Sequence, residues 1–85
     1  MNRYAMFEEF NGKIALPVDS DRPTLVIVAE TMMSAIQSFA DKNKLNLVSF
    51  DELEGDSMRA YYQRKKLFQR PEDIIYYIST AREDA

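Results

Sequence analysis

The sequence predicts an α+β fold, with an antiparallel or mixed sheet of four or five strands and two helices. Three observations support this prediction. A continuous apolar run at 25–29 is typical of a buried strand. The segment that follows repeats its apolar residues at helical spacing. Asn11-Gly12 separates two apolar-rich runs, which indicates a β-hairpin. A chain of 85 residues has room for one hydrophobic core, so we expect a single domain over 1–85.

The N-terminal segment 4–18 is predicted to form this hairpin. Asn11 and Gly12 suit a type I′ turn, in which both central residues have positive φ. Pro17 weakens the end of the second strand because proline cannot donate a ladder hydrogen bond. The expected inward-facing residues are Tyr4, Met6, Phe10, Ile14 and Leu16. The polar stretch 19–23 is expected to be a loop.

The next strand is predicted at about 24–29 and the first helix at about 31–43. Thr31 is a suitable N-cap because its hydroxyl can accept from a free amide at the helix start. Asn43 is a suitable end because asparagine tolerates the left-handed conformation. One face of the helix carries Met32, Ile36, Phe39 and Ala40.

A further strand is predicted at about 45–50, where apolar and polar residues partly alternate. A second helix is predicted at about 57–68. Its basis is a shared helical face formed by Met58, Tyr61, Lys65 and Phe68. Asp56 or Ser57 could cap its N-terminus.

The segment 73–80 admits two interpretations. Its isoleucine and tyrosine run favours a strand by propensity. Pro71 followed by two acidic residues is typical of a helix start. The helical face would then consist of Ile74, Tyr77, Ile78 and Ala81. We prefer the strand.

The composition argues against common catalytic chemistry. The chain has neither cysteine nor histidine, which removes thiolate chemistry, disulfides and the usual general base near neutral pH. We therefore predict a protein that is not an enzyme, with no catalytic residues and no cofactor. The lack of cysteine also favours a reducing, cytoplasmic location. The longest apolar run is too short to span a membrane, so no membrane association is expected.

An acidic cluster lies between the two halves of the chain. Asp51, Glu52, Glu54 and Asp56 could in principle hold a hard cation such as Ca²⁺. However, Leu53 and the position of Gly55 break the spacing of a calcium loop. We interpret this cluster as a solvated acidic loop and predict no metal site.

The charge is unevenly distributed along the chain. Residues 57–71 hold five basic residues and no acidic one, a local charge of +5. Because the whole chain carries −3, the remainder carries −8. Tyr61, Tyr62 and Phe68 are interleaved with these basic residues, so the segment combines positive charge with aromatic rings. A solvated helix face with its rings in the core is the ordinary explanation of this pattern.

These features favour a non-catalytic protein–protein interaction module, such as a small inhibitor, adaptor or subunit. Each tyrosine pair, at 61–62 and 76–77, should place at least one ring near the surface, where tyrosine is a frequent interface anchor. The predicted contact residues are Arg59, Tyr61, Tyr62, Arg64, Lys65 and Lys66. The alternative is nucleic-acid binding through 57–71, because cations neutralise phosphates and aromatic rings stack on bases. A homodimer is a further possibility, in which the basic segment of one copy meets the acidic surface of another.

Overall fold

The protein forms a five-stranded antiparallel sheet with one helix, in a computed structural model that describes residues 1–17 and 22–81. The elements are β1 (Asn2–Phe10), β2 (Leu25–Ala29), α1 (Met32–Asn43), β3 (Asn46–Leu53), β4 (Ser57–Arg64) and β5 (Glu72–Thr80). The spatial order of the strands is β2-β1-β5-β4-β3. The predicted α+β class is confirmed, and the sheet agrees with the predicted antiparallel or mixed sheet of four or five strands. Instead of two helices, the described residues contain one.

The first and last strands are central, and the edges are formed by strands from the middle of the chain. β1 pairs with both β2 and β5, so that Met6 lies opposite Leu25 on one side and Ile78 on the other. Helix α1 leads from edge strand β2 to edge strand β3 and covers one face of the sheet. This arrangement leaves the other face, here called the open face, without a helix in the described part of the chain.

The core lies between α1 and the sheet. The helix buries the apolar face that its sequence predicts, and this face packs on alternate residues of the strands, including Met6, Ile78 and Tyr62. The Thr31 hydroxyl accepts a hydrogen bond from the Ser34 amide at 3.0 Å, which confirms the predicted N-cap. The left-handed residue at the C-terminus is Lys44, with φ 55°, one residue beyond the expected position.

The predicted hairpin at 4–18 is wrong beyond its first strand. The segment after β1 is a loop with a single bridge between Phe10 and Ala15. The Asn11 side chain accepts from the amides of the two residues at 13 and 14, and of the two turn residues Gly12 alone has positive φ. Ile14 is exposed rather than inward-facing. The reason is topological: β2 takes residues 2–6 on one side of β1 and β5 pairs along the other side, so only the last residues of β1 are left for a hairpin partner. Residues 18–21, which include part of the expected 19–23 loop, lie outside the described residues.

The predicted helix at 57–68 is also wrong, because residues 57–64 form strand β4. Met58, Ala60 and Tyr62 face the core while Arg59 and Tyr61 face away, which is the period of two that a strand requires. This alternation stops at the end of β4. A sequence window that runs on into the following loop therefore shows no clear period of two. The strand preferred for 73–80 is confirmed as β5.

Candidate functional site: a basic loop beside the open face

The six predicted contact residues fall into three different environments. Arg59 and Tyr61 lie on the open face of β4, whereas Tyr62 points to the core. The cationic residues Arg64, Lys65 and Lys66 lie at the end of β4 and in the connection to β5. The six residues therefore do not form one continuous surface.

Tyr62 belongs to the core, and its assignment to the contact surface is corrected. Its side chain is 1% exposed, and its hydroxyl donates to the Ile36 carbonyl oxygen at 3.0 Å. Its ring packs with those of Phe39 and Tyr76, at centroid distances of 5.4 and 6.1 Å. Burial raises the pKa of the Tyr62 hydroxyl. A ring held in this way stabilises the fold and is not available to a partner.

The polar residues that β4 places on the open face are paired within the chain. The Arg59 guanidinium makes two hydrogen bonds to the Glu9 carboxylate, at 2.7 and 3.2 Å, and this pairing raises the pKa of Arg59. The Tyr61 hydroxyl donates to Asp51 at 2.8 Å, which raises the pKa of Tyr61. Gln63 donates to Asp73 at 3.1 Å. The charge of Arg59 is thus compensated locally, and it adds little to the basic character expected of this segment.

The two tyrosine pairs confirm one expectation. Tyr62 and Tyr76 are buried, whereas Tyr61 and Tyr77 are half-buried on the open face. Tyr77 packs against Phe7 with ring centroids 5.8 Å apart. One ring of each pair is therefore near the surface, as strand alternation requires of adjacent residues.

The connection between β4 and β5 carries the most exposed apolar residues of the described chain apart from Met1. This connection, residues Lys65–Pro71, is called the basic loop below. Leu67 is 81% exposed and Phe68 is 98% exposed. Phe68 also has a φ of 62°, in the left-handed region that residues other than glycine rarely adopt. The sequence prediction missed both residues, because a helix over 57–68 would have turned Phe68 toward the core.

The basic loop is fixed at its base by Glu72. The Glu72 carboxylate contacts Lys66 at 2.9 Å and Arg64 at 3.7 Å. The hydrogen bond from Lys66, together with the charges of Lys66 and Arg64, lowers the pKa of Glu72. Gly12 lies close to the Glu72 side chain, since a Cβ at Gly12 would be 3.0 Å from it. Lys65 and Arg70 make no ion pair within the described residues, so their charges face solvent.

The opposite end of β4 carries the opposite charge. The last residues of β3 and the turn that follows, Asp51–Asp56, are here called the acidic tip and hold four carboxylates. In residues 1–17 and 22–81, no group of three or more acidic side chains is arranged to hold a metal ion. Successive residues of a strand are about 3.3 Å apart, so the eight residues of β4 separate the acidic tip from the basic loop by roughly 23 Å.

Comparison with known proteins returns no match, whether with protein-family models, curated proteins or solved structures. Among the described residues, no helix has both the length and the apolar character needed to cross a membrane. The functional interpretation therefore depends on the surfaces of the chain itself.

Proposed function

We propose that the chain is a non-catalytic protein–protein interaction module and that the basic loop is its contact surface. The observation that carries this proposal is the exposure of Leu67 and Phe68, at 81% and 98%, between Lys65 and Arg70, which make no ion pair within residues 1–17 and 22–81. Protein interfaces are enriched in aromatic residues, phenylalanine included, and surround them with a polar rim.

The structure of the loop supports a binding role in two ways. Exposed apolar side chains contribute nothing to the core, so Leu67 and Phe68 do not stabilise the isolated fold through burial. Phe68 also occupies a backbone region that costs a residue with a Cβ about 1–2 kcal/mol. Binding to a partner would recover the burial that the free chain lacks.

The charge of the loop indicates the chemistry of the partner. Lys65 and Arg70 have no internal counter-ion in the described chain, and Arg64 and Lys66 share the single carboxylate of Glu72. An acidic protein surface with an apolar pocket would complement this arrangement. The proposed contact set keeps the predicted Arg64, Lys65 and Lys66, and adds Leu67, Phe68 and Arg70.

Affinity capture from the native lysate tests this proposal. We expect the tagged Phe68→Ser chain to recover much less partner than the tagged wild-type chain, at equal stability. The matched control is Val28→Thr, which alters an apolar residue that is 57% exposed on edge strand β2, away from the loop. Equal recovery by the wild-type and Phe68→Ser chains would show that the loop is not the contact surface.

Nucleic-acid binding through the same loop is a second candidate function. It is favoured by an accessible Phe68 ring beside several cations, since an aromatic ring can stack on a base while cations contact phosphates. A gel-shift series at increasing salt tests this candidate, because each phosphate contact to duplex DNA adds about −0.9 to the log–log slope. The absence of a complex at low salt would exclude it.

A further inference from the structure

We propose that a partner of the basic loop is a second copy of this chain, which receives the loop in a groove beside its own acidic tip. This inference rests on the proposed function of the loop and names the surface that the loop would bind. The two surfaces lie at opposite ends of β4, so the contact would join molecules head to tail.

The groove lies between the acidic tip, the start of helix α1 and the end of β5. Its volume is about 300 Å³, and it opens to solvent. The apolar part of the lining is formed by Tyr4, Met32, Leu53 and Met58. Glu52 and Asp56 lie at the exposed margin of the groove. Ser57 and Thr80 also contribute to the lining, so the groove combines apolar and polar groups beside its two carboxylates. This combination suits an apolar side chain that is flanked by cations.

The basic loop presents the complementary features. The Phe68 ring is almost fully exposed and can enter an apolar groove without first leaving the core. Lys65 and Arg70 lie within three residues of Phe68 in the sequence and have no ion pair in the described chain. Arg64 and Lys66 are held by Glu72, so Lys65 and Arg70 are the cations left to meet Glu52 and Asp56 of the groove. Charge of opposite sign on the two surfaces would guide the molecules into this orientation.

The geometry excludes an intramolecular contact and fixes the type of assembly. The loop cannot reach the groove of its own chain, because β4 holds them roughly 23 Å apart. A contact between two different surfaces is heterologous, so it forms either rings or open chains of molecules. One loop in one groove is a small interface, and small interfaces of this kind are typical of weak association.

Sedimentation velocity over a range of protein concentrations tests the inference. We expect the average mass of the wild-type chain to rise with concentration through dimer to larger species. In about 1 M salt, where the Debye length is roughly 3 Å, the same association should weaken, because the ion pairs are screened. Phe68→Ser should weaken association about tenfold or more, as expected for an interface anchor.

Two charge-reversal variants identify the surfaces involved. The loop variant carries Lys65→Glu and Arg70→Glu, which leaves the contacts of Glu72 intact. The groove variant carries Glu52→Lys and Asp56→Lys, which leaves the hydrogen bond between Tyr61 and Asp51 intact. Each variant alone should remain monomeric. An equimolar mixture should associate again, because the intact loop meets the intact groove and the reversed loop meets the reversed groove, in both cases with charges of opposite sign.

Other results would overturn the inference. A wild-type chain that stays monomeric at every concentration, or variants that associate as the wild type does, would exclude the loop-in-groove contact. Unfolding measurements on each variant check that a variant found to be monomeric is still folded. If the wild type is monomeric but Phe68→Ser still loses a protein captured from lysate, the second-copy inference fails and the proposed function stands. A wild-type chain that stays monomeric and binds anionic lipid vesicles through Phe68 would likewise exclude a second copy as the partner of the loop.

Discussion

The core cluster and the basic loop use aromatic residues in opposite ways. In the cluster, Phe39, Tyr62 and Tyr76 are buried and pack on one another, with Phe39 and Tyr76 centroids 4.6 Å apart. In the loop, Phe68 is 98% exposed. The same kind of side chain therefore stabilises the fold in one region and is available for binding in the other. Substitutions in the two regions should separate stability from association.

The electrostatic surroundings differ in the same way. The hydroxyl of Tyr62 is satisfied by a backbone carbonyl, and that of Tyr76 donates to Glu8 at 3.1 Å. In both tyrosines burial is the main reason why the pKa is raised. The basic loop instead has cations without a counter-ion in the described chain. Both core hydroxyls therefore have hydrogen-bond partners within the chain, whereas Lys65 and Arg70 of the loop have no ion pair in the described residues.

The largest expected difference is between Phe39→Ala and Phe68→Ala. Phe39→Ala should lower the free energy of unfolding by about 3–5 kcal/mol, because it leaves a cavity among the cluster rings. Phe68→Ala should change stability by less than about 0.5 kcal/mol, because its ring is in solvent. Urea denaturation of the two variants measures both values. Similar losses in the two variants would contradict the distinction between the regions.

The next largest loss of stability is expected from substituting the two glycines. Gly12 lies near Glu72 at the start of β5, and Gly55 lies in the turn between β3 and β4. Gly12 has φ 94°, and a Cβ there would lie 3.0 Å from atoms of the Glu72 side chain. Gly55 has φ 74°, with no atom near its Cβ position. Gly12→Ala should cost about 1–3 kcal/mol through strain, and Gly55→Ala should cost less. Equal losses on thermal unfolding would show that the contact with Glu72 does not matter.

A smaller effect is expected for the paired tyrosine hydroxyls. Tyr62→Phe removes a buried hydrogen bond and should cost about 1 kcal/mol. Tyr61→Phe removes an exposed hydrogen bond to Asp51 and should cost less than about 0.5 kcal/mol. The comparison uses the same chemical change at adjacent positions, so a larger loss for Tyr61→Phe in urea denaturation would reverse the assignment of inward and outward faces.

The smallest effect concerns the anchor of the basic loop. The pKa of Glu72 lies below its ordinary value, chiefly because Lys66 hydrogen-bonds to the carboxylate. Its contribution to stability is therefore present above the pKa of glutamate in the unfolded chain. That contribution is lost as the pH falls through the lower pKa of the folded chain. NMR titration of the Glu72 carboxyl measures this shift.

Lys66→Gln provides the matching control. It removes the largest cause of the shift, so the Glu72 pKa should move up toward its ordinary value. An unchanged pKa in this variant would show that Lys66 does not anchor the loop.

Sequence patterns correctly predicted those elements whose identity depends on neighbouring residues in the chain. Helix α1 was recognisable because its apolar residues repeat at helical spacing and Thr31 caps it. Strand β5 was recognisable by its isoleucine and tyrosine run. The hairpin failed because β1 pairs with β2 and β5, which are distant in sequence, and a turn motif carries no information about such partners.

The segment 57–71 shows why the candidate site was only partly predictable. Its inward residues, Met58, Ala60 and Tyr62, alternate cleanly if the window ends at Arg64. A longer window that includes Phe68 also fits a helical face. The helix predicted from that window therefore gives the wrong environment for both Tyr62, which is buried, and Phe68, which is exposed. The concentration of positive charge was visible in the sequence. The compensation of Arg59 by Glu9, 50 residues away, was not.

The exposure of residue 68 in the free chain is the central claim, and a Phe68→Trp variant measures it directly. The sequence contains no tryptophan, so the fluorescence of this variant reports on one position alone. In dilute solution the emission should match that of tryptophan in water and be quenched freely by acrylamide. It should shift to shorter wavelength when a partner binds. A blue-shifted emission that is protected from acrylamide in the dilute, monomeric chain would contradict the account.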